Sequence, residues 1–176
     1  MNWEAVGAIA GLIGVGLVIV SLLYVGIQVR QSNKDARSQS RQALIDTFAT
    51  LGWEMSLHPE MLEIVAAGIV NWSSLSNMDK TRFDNIMGRY LSNLHRGILQ
   101  YEDGFLDSKT LDIFGNQMLF CVLMPGGEEW YKETSLAAPE VRRYIADRMD
   151  HPEGLPPPAS EAVPHWMALA AERQVK

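Results

Sequence analysis

The stretch from Ala5 to Val29, AVGAIAGLIGVGLVIVSLLYVGIQV, contains no charged residue and constrains this chain more than any other feature. As an α-helix rising ~1.5 Å per residue, it is long enough to cross the ~30 Å hydrocarbon core of a bilayer with some tilt. Backbone groups in lipid must be satisfied internally, so a lone span has to be helical. We therefore predict a transmembrane anchor over residues 1–30.

Two alternative interpretations of the same stretch are a buried core helix and a cleaved signal peptide. A signal peptide begins with basic residues and ends in a small-residue cleavage site. Here the chain opens with Met-Asn-Trp-Glu, and the apolar run ends in Gln28-Val29-Arg30. Both ends favour an anchor that is retained.

The charges that flank the span predict its orientation. Glu4 is the one charged residue before the span, whereas four bases and a single acid, Asp35, follow it closely. The positive-inside rule then places the N-terminus outside and residues 30–176 in the cytoplasm. Aromatic and basic side chains suit the two membrane interfaces, and the bases can contact anionic lipid. These interface residues are Trp3, Tyr24, Arg30, Lys34, Arg37 and Arg41.

Small and polar residues form one stripe along the predicted span. They recur at alternating spacings of four and three, the pattern of a left-handed helix pair or bundle. Small side chains let helix backbones approach closely in lipid, so we predict a homo-oligomer packed through this surface. Glycine is also common in membrane helices that have no partner, and that alternative stays open. The small-residue stripe comprises Gly7, Gly11, Gly14, Val18, Ser21, Val25 and Gln28.

Beyond the membrane the stripe turns polar and includes Asp35. It is either a solvated outer face or, in a ring of subunits, a central surface with an acidic ring at Asp35 beneath Gln28.

Residues 31–150 are predicted to form an all-α cytoplasmic domain. The first helix is expected to continue past the membrane with an apolar stripe at Leu44, Phe48, Leu51 and Met55. No stretch alternates as a strand would. One further helix is predicted from Pro59 to near Gly68, and a longer one over Met78–Asp103 after a capping box at Ser76 and Asp79. The next is predicted from a cap at Ser108 to just before Pro125. Two shorter helices are predicted over Glu128–Ser135 and Pro139–Met149.

Residues 151–176 form a predicted Pro-rich arm. Five prolines within HPEGLPPPASEAVP favour an extended, polyproline-like segment. A short helix over His165–Lys176 would carry Trp166 and Leu169 on one face. We expect this arm either to dock on a neighbouring subunit or to fray.

No catalytic, cofactor-binding or metal-binding motif is found in the sequence. The four histidines lie far apart, and the single Cys121 is expected to be a small core residue. Acids outnumber bases outside the juxtamembrane segment, in a chain whose net charge is -6, so nucleic-acid binding is not expected.

Asn2-Trp3-Glu4 and Ile27-Gln28-Val29-Arg30-Gln31 carry a resemblance. The chain resembles a group of bacterial single-pass membrane proteins of unassigned function, with a short N-terminal segment, one span and a helical cytoplasmic domain. The turn from Tyr101 to Leu106 and the stretch Pro139–Tyr144 are similar too. The resemblance implies a bacterial inner-membrane location and no particular activity.

Three functions remain open at this level. The first is a self-associating, non-enzymatic membrane protein that scaffolds or assists another membrane protein. The second is a small ion channel lined by the stripe from Gly7 to Gln28. The third is a membrane-tethered sensor or enzyme with a cavity between its cytoplasmic helices.

Overall fold

The chain is all-helical, as predicted, in a computed structural model that describes residues 3–174. Side chains are described at 11, 14–151, 153–161 and 163–171. No strand occurs within residues 3–174. Short 3-10 turns lie at Trp72–Ser74 and Pro152–Gly154. The helices are α1 (Trp3–Leu57), α2 (Pro59–Val70), α3 (Asn77–Glu102), α4 (Ser108–Val122), α5 (Pro125–Glu133), α6 (Pro139–Asp150), α7 (Ala159–Ala162) and α8 (Pro164–Gln174).

The chain divides into a first unit, Met1–Gln39, and a second unit, Ser40–Lys176. In the first unit, the described large apolar side chains from Val15 to Val29 are all exposed. This helix is long and apolar enough to cross a membrane. The predicted boundaries at residues 30 and 150 stay predictions.

The second unit has one apolar core to which α1 contributes its last turns. Leu44, Phe48, Leu51 and Met55 are buried, which confirms the predicted stripe. The Phe48 ring stacks on Phe114 of α4 with their centroids 4.3 Å apart. Residues spaced by three or four share one helix face, and this explains why the stripe reaches the core as a group.

Helix α3 supplies the longest apolar face of the core. Phe83, Met87, Leu91 and Leu94 are all buried, as the amphipathic pattern predicts. The helix begins where the sequence indicates, because the Ser76 hydroxyl accepts a hydrogen bond from the backbone N–H of Asp79 at 3.1 Å. That bond satisfies one of the donors left free at a helix start.

The starts of α4 and α5 differ from the sequence prediction, and the Pro-rich segment predicted to be extended contains the turn Pro152–Gly154 and the helix α7. The cap of α4 is Asp107 rather than Ser108, and its carboxylate accepts the backbone N–H of Thr110 at 2.8 Å. Helix α5 begins at Pro125 rather than Glu128. Proline suits the first helical position because its missing N–H would have no helical partner there.

Gly126 fixes how closely α5 approaches α2. A Cβ at Gly126 would overlap the backbone carbonyl of Gly68 and lie 2.6 Å from the backbone nitrogens of Asn71 and Trp72. Backbone atoms at the end of a helix cannot move aside as a flexible side chain can. Only glycine therefore fits at this contact.

Replacing Gly126 tests this packing. We expect Gly126→Ala to lower the free energy of unfolding by about 1–3 kcal/mol, because the new methyl group is forced against backbone. Gly52→Ala is the matched control: its Cβ would meet nothing within 4 Å, so the change should stabilise by about 0.5–1 kcal/mol. Chemical unfolding of the full chain measures both, and equal stability of the two variants would contradict the assignment.

The Asp107 cap predicts a pH dependence. Hydrogen bonds from the Thr110 backbone and side chain hold the pKa of the Asp107 carboxyl below its usual range. Its contribution is therefore present above the unfolded pKa of about 3.9 and is lost as the pH falls through the lower folded value. Asp107→Ala should melt below the wild type at neutral pH, and the two Tm values should converge in acid. Asp107→Asn keeps a capping oxygen without the titration, so it should show a smaller loss at neutral pH.

Candidate functional site

The small-residue stripe is an open surface on α1. Gly11, Gly14, Val18, Ser21 and Val25 are exposed. A Cβ at Gly11 or at Gly14 would meet no atom within 4 Å. No described residue of this chain therefore fills the space beside these glycines.

Gln28, at the end of the stripe, and Asp35 beyond it lie among polar side chains of α1. Gln28 is exposed, and it shares a shallow groove with Gln31, Ser32, Asp35 and Gln39 on the same helix. The surroundings of Gly7 and the side chain of Trp3 lie outside the part of the chain that is described in full. Asp35 accepts a hydrogen bond from Gln31 Nε2 at 2.9 Å, which occupies one of its oxygens within the helix.

The aromatic and basic residues at the predicted interface remain accessible. Tyr24, Arg30, Lys34 and Arg37 are all exposed in the first unit. Such side chains can reach an anionic surface without breaking any contact of a core. In the second unit, Arg41 lies 4.0 Å from the Asp107 carboxylate, a separation that suits a weak, solvated ion pair.

The C-terminal arm packs on its own chain. Helix α8 lies against α2, and Ala170 is buried there. The Trp166 ring meets Phe120 of α4 edge-on, with centroids 5.8 Å apart, and Leu169 is half-buried. Docking of the arm on a neighbouring subunit stays a prediction.

A polar cluster joins α4 to α6, and the sequence analysis missed it. Arg148 Nη1 donates to Asp112 Oδ1 at 2.7 Å, while its Nη2 donates to Asn116 Oδ1 at 2.8 Å. Tyr144 donates its hydroxyl to the same Asp112 oxygen at 3.1 Å. Burial, with the neighbouring Asp112 charge, raises the pKa of Tyr144. The available signal was two matched pairs spaced by four, Asp112 with Asn116 and Tyr144 with Arg148.

This cluster also holds the chain that follows α6. Arg148 Nη2 donates a further hydrogen bond of 2.6 Å to the carbonyl oxygen of Gly154. One planar guanidinium therefore ties α6, α4 and the start of the C-terminal arm together. These hydrogen bonds join three segments of the fold, so the cluster positions α6 and the C-terminal arm against α4.

Two of the histidines pair with acids, and the cysteine is buried. His95 Nε2 lies 3.4 Å from a Glu140 oxygen, and His58 pairs with the nearby Glu60. Among the described residues no three potential ligands come together to hold a metal ion. Burial raises the pKa of the Cys121 thiol to about 12, so it remains protonated and unreactive at neutral pH.

No known protein family, no curated protein and no solved structure matches the chain.

Removing Arg148 should loosen the C-terminal arm. We expect Arg148→Ala to cost about 1–2 kcal/mol of unfolding free energy, since several charge-assisted hydrogen bonds in a partly exposed site are lost. Amide hydrogen exchange over residues 152–170 should accelerate more than exchange in α3. Arg143→Ala, an exposed arginine on the same helix, is the control and should leave both quantities nearly unchanged. An unchanged exchange rate in the arm of Arg148→Ala would refute the positioning role.

Proposed function

We propose that this chain is a single-pass bacterial inner-membrane protein that self-associates through the small-residue stripe and has no catalysis of its own. The observation that carries the proposal is the exposure of the described large apolar side chains from Val15 to Val29, each of which is more than half exposed. In this role the second unit is a cytoplasmic domain that can scaffold or assist another membrane protein.

Lipid is the environment that suits this helix. Leu17, Leu22 and Ile27 are each more than 60% exposed, and they point to different sides of the helix. Burying one such side chain away from water is worth about 1.5–3 kcal/mol. A helix that is apolar all round and uncovered by its own chain gains this energy from a bilayer or from other chains.

The small-residue stripe supports association inside that bilayer. Lipid covers large and small apolar side chains alike, so helix pairing in a membrane depends on close packing and hydrogen bonds. The space beside Gly11 and Gly14 is open to a second backbone. Gln28 and Ser21 add polar groups on the same face, where a partner helix can satisfy them.

The charges support the proposed orientation. Four bases follow the apolar run, and those of the first unit are exposed where anionic headgroups can contact them. Burial of Cys121 in the second unit, which raises the pKa of its thiol to about 12, supports a structural role for that residue.

A pair of double variants tests self-association. Gly11→Leu with Gly14→Leu places two large side chains on the small-residue stripe, so it should shift the full-length protein toward monomers. Gly16→Leu with Gly26→Leu adds the same atoms to the same helix away from the stripe, and its glycines are equally open. The mass of the detergent-solubilised particle, measured by light scattering, distinguishes the two.

The control should keep the wild-type mass. An unchanged mass in the stripe variant, or an equal loss of mass in both variants, would show that the stripe does not mediate association. Circular dichroism of each sample checks that the helices remain folded.

A further inference from the structure

An apolar cavity of about 410 Å³ lies within the second unit. Phe48, Gly52 and Met55 of α1 form one side of it, and α2, α3 and α4 contribute the other sides. The C-terminal arm supplies the remaining wall through Pro156, Pro157 and Trp166. Binding sites for small organic molecules have volumes of about 300–1,000 Å³, and this cavity falls in that range.

The cavity wall is uncharged. Among the described residues that line it, none is acidic, basic or a histidine. The lining includes aromatic rings and the thioethers of Met55 and Met87, which adapt well to flat apolar molecules, together with the amides of Asn116 and Gln117. An ion would lose hydration here without gaining a side chain of opposite charge, so the wall favours an uncharged ligand.

One polar group inside the cavity has a weak partner. The Tyr90 hydroxyl donates to Met55 Sδ at 3.5 Å, and a thioether is a poor acceptor. Burial raises the pKa of Tyr90 to about 12, so the phenol keeps its proton at neutral pH. A carbonyl or ether oxygen brought into the cavity would be a better acceptor than the sulfur.

The size of the cavity limits the ligand further. An apolar cavity of ~150 Å³ is enough to hold benzene, so the volume here accommodates a molecule of two rings. We propose that this cavity binds an uncharged, mainly apolar molecule of about two-ring size, and that Tyr90 donates a hydrogen bond to its single acceptor oxygen.

The C-terminal arm gives this site a means of responding to its ligand. Pro156, Pro157 and Trp166 follow the Gly154 carbonyl that Arg148 holds. A ligand that contacts this wall and the core together is bound only while the arm is in place. Occupancy therefore stabilises the docked arm by linkage.

Benzophenone is a suitable probe because it is uncharged, has two rings and carries one carbonyl. The full-length protein in lipid nanodiscs would be photolabelled over a range of benzophenone concentrations, and the modified peptides identified by mass spectrometry. We expect saturable labelling of the peptides that carry Met55 and Met87. Labelling of the first unit from the surrounding lipid should rise without saturation.

Substitutions at the rim and inside the cavity give the decisive comparison. Gly52 is exposed and lines the cavity, so Gly52→Phe should reduce the saturable labelling at least about tenfold. Ala49→Phe adds the same ring to an exposed position of the same helix away from the cavity and should leave labelling unchanged. Tyr90→Phe should raise the half-saturating concentration about fivefold while labelling the same peptides.

Three results would overturn the proposal: labelling without saturation at the cavity peptides, equal labelling of Gly52→Phe and wild type, or an unchanged half-saturating concentration in Tyr90→Phe. Thermal melting followed by circular dichroism accompanies each variant. If Gly52→Phe fails to fold, the Tyr90→Phe titration decides alone.

Discussion

Burial of apolar surface separates α1 into two stretches with different requirements. From Leu44 onward its apolar stripe is covered by α3 and α4, and the stack of Phe48 on Phe114 lies within that core. From Val15 to Val29 its apolar side chains are exposed within the first unit. In the stretch from Leu44, the chain itself buries the apolar side chains. In the stretch from Val15 to Val29, lipid or another chain has to cover them. The proposed membrane location and self-association both follow from this difference.

The second unit combines close backbone packing at Gly126 with the polar cluster around Arg148. Gly126 lets α5 approach the end of α2, while Arg148 joins α6 and the C-terminal arm to α4. The C-terminal arm forms one wall of the apolar cavity. Because Arg148 holds the start of this arm, it also affects the shape of the cavity. In the proposed scaffold, binding of a small apolar molecule in this cavity would favour the docked position of the C-terminal arm.

Periodic patterns were enough to predict the long elements. The uncharged run after Glu4, the stripe from Leu44 to Met55 and the amphipathic face of α3 each repeat over several turns, so their signals add. Single-residue choices were less predictable. Asp107 and Ser108 are both good caps, and the backbone path after Leu106 selects the first.

Contacts between distant segments could not be obtained from the pattern alone. Asp112 and Arg148 each look like ordinary surface charges in the sequence, and only the packing of α4 beside α6 brings them together. The apolar cavity likewise depends on the arm folding back, which five prolines in a short segment did not suggest. The small-residue stripe was found readily because it repeats along one helix, and its role in self-association stays a prediction.

Alkaline carbonate extraction of membranes from cells that express the chain tests whether α1 anchors it in lipid. A protein held by a helix in the hydrocarbon core stays with the membrane pellet at high pH, whereas one attached by surface charges is released. We expect the chain to remain in the pellet and to be released only by detergent. Recovery of the folded chain in the alkaline supernatant would contradict it.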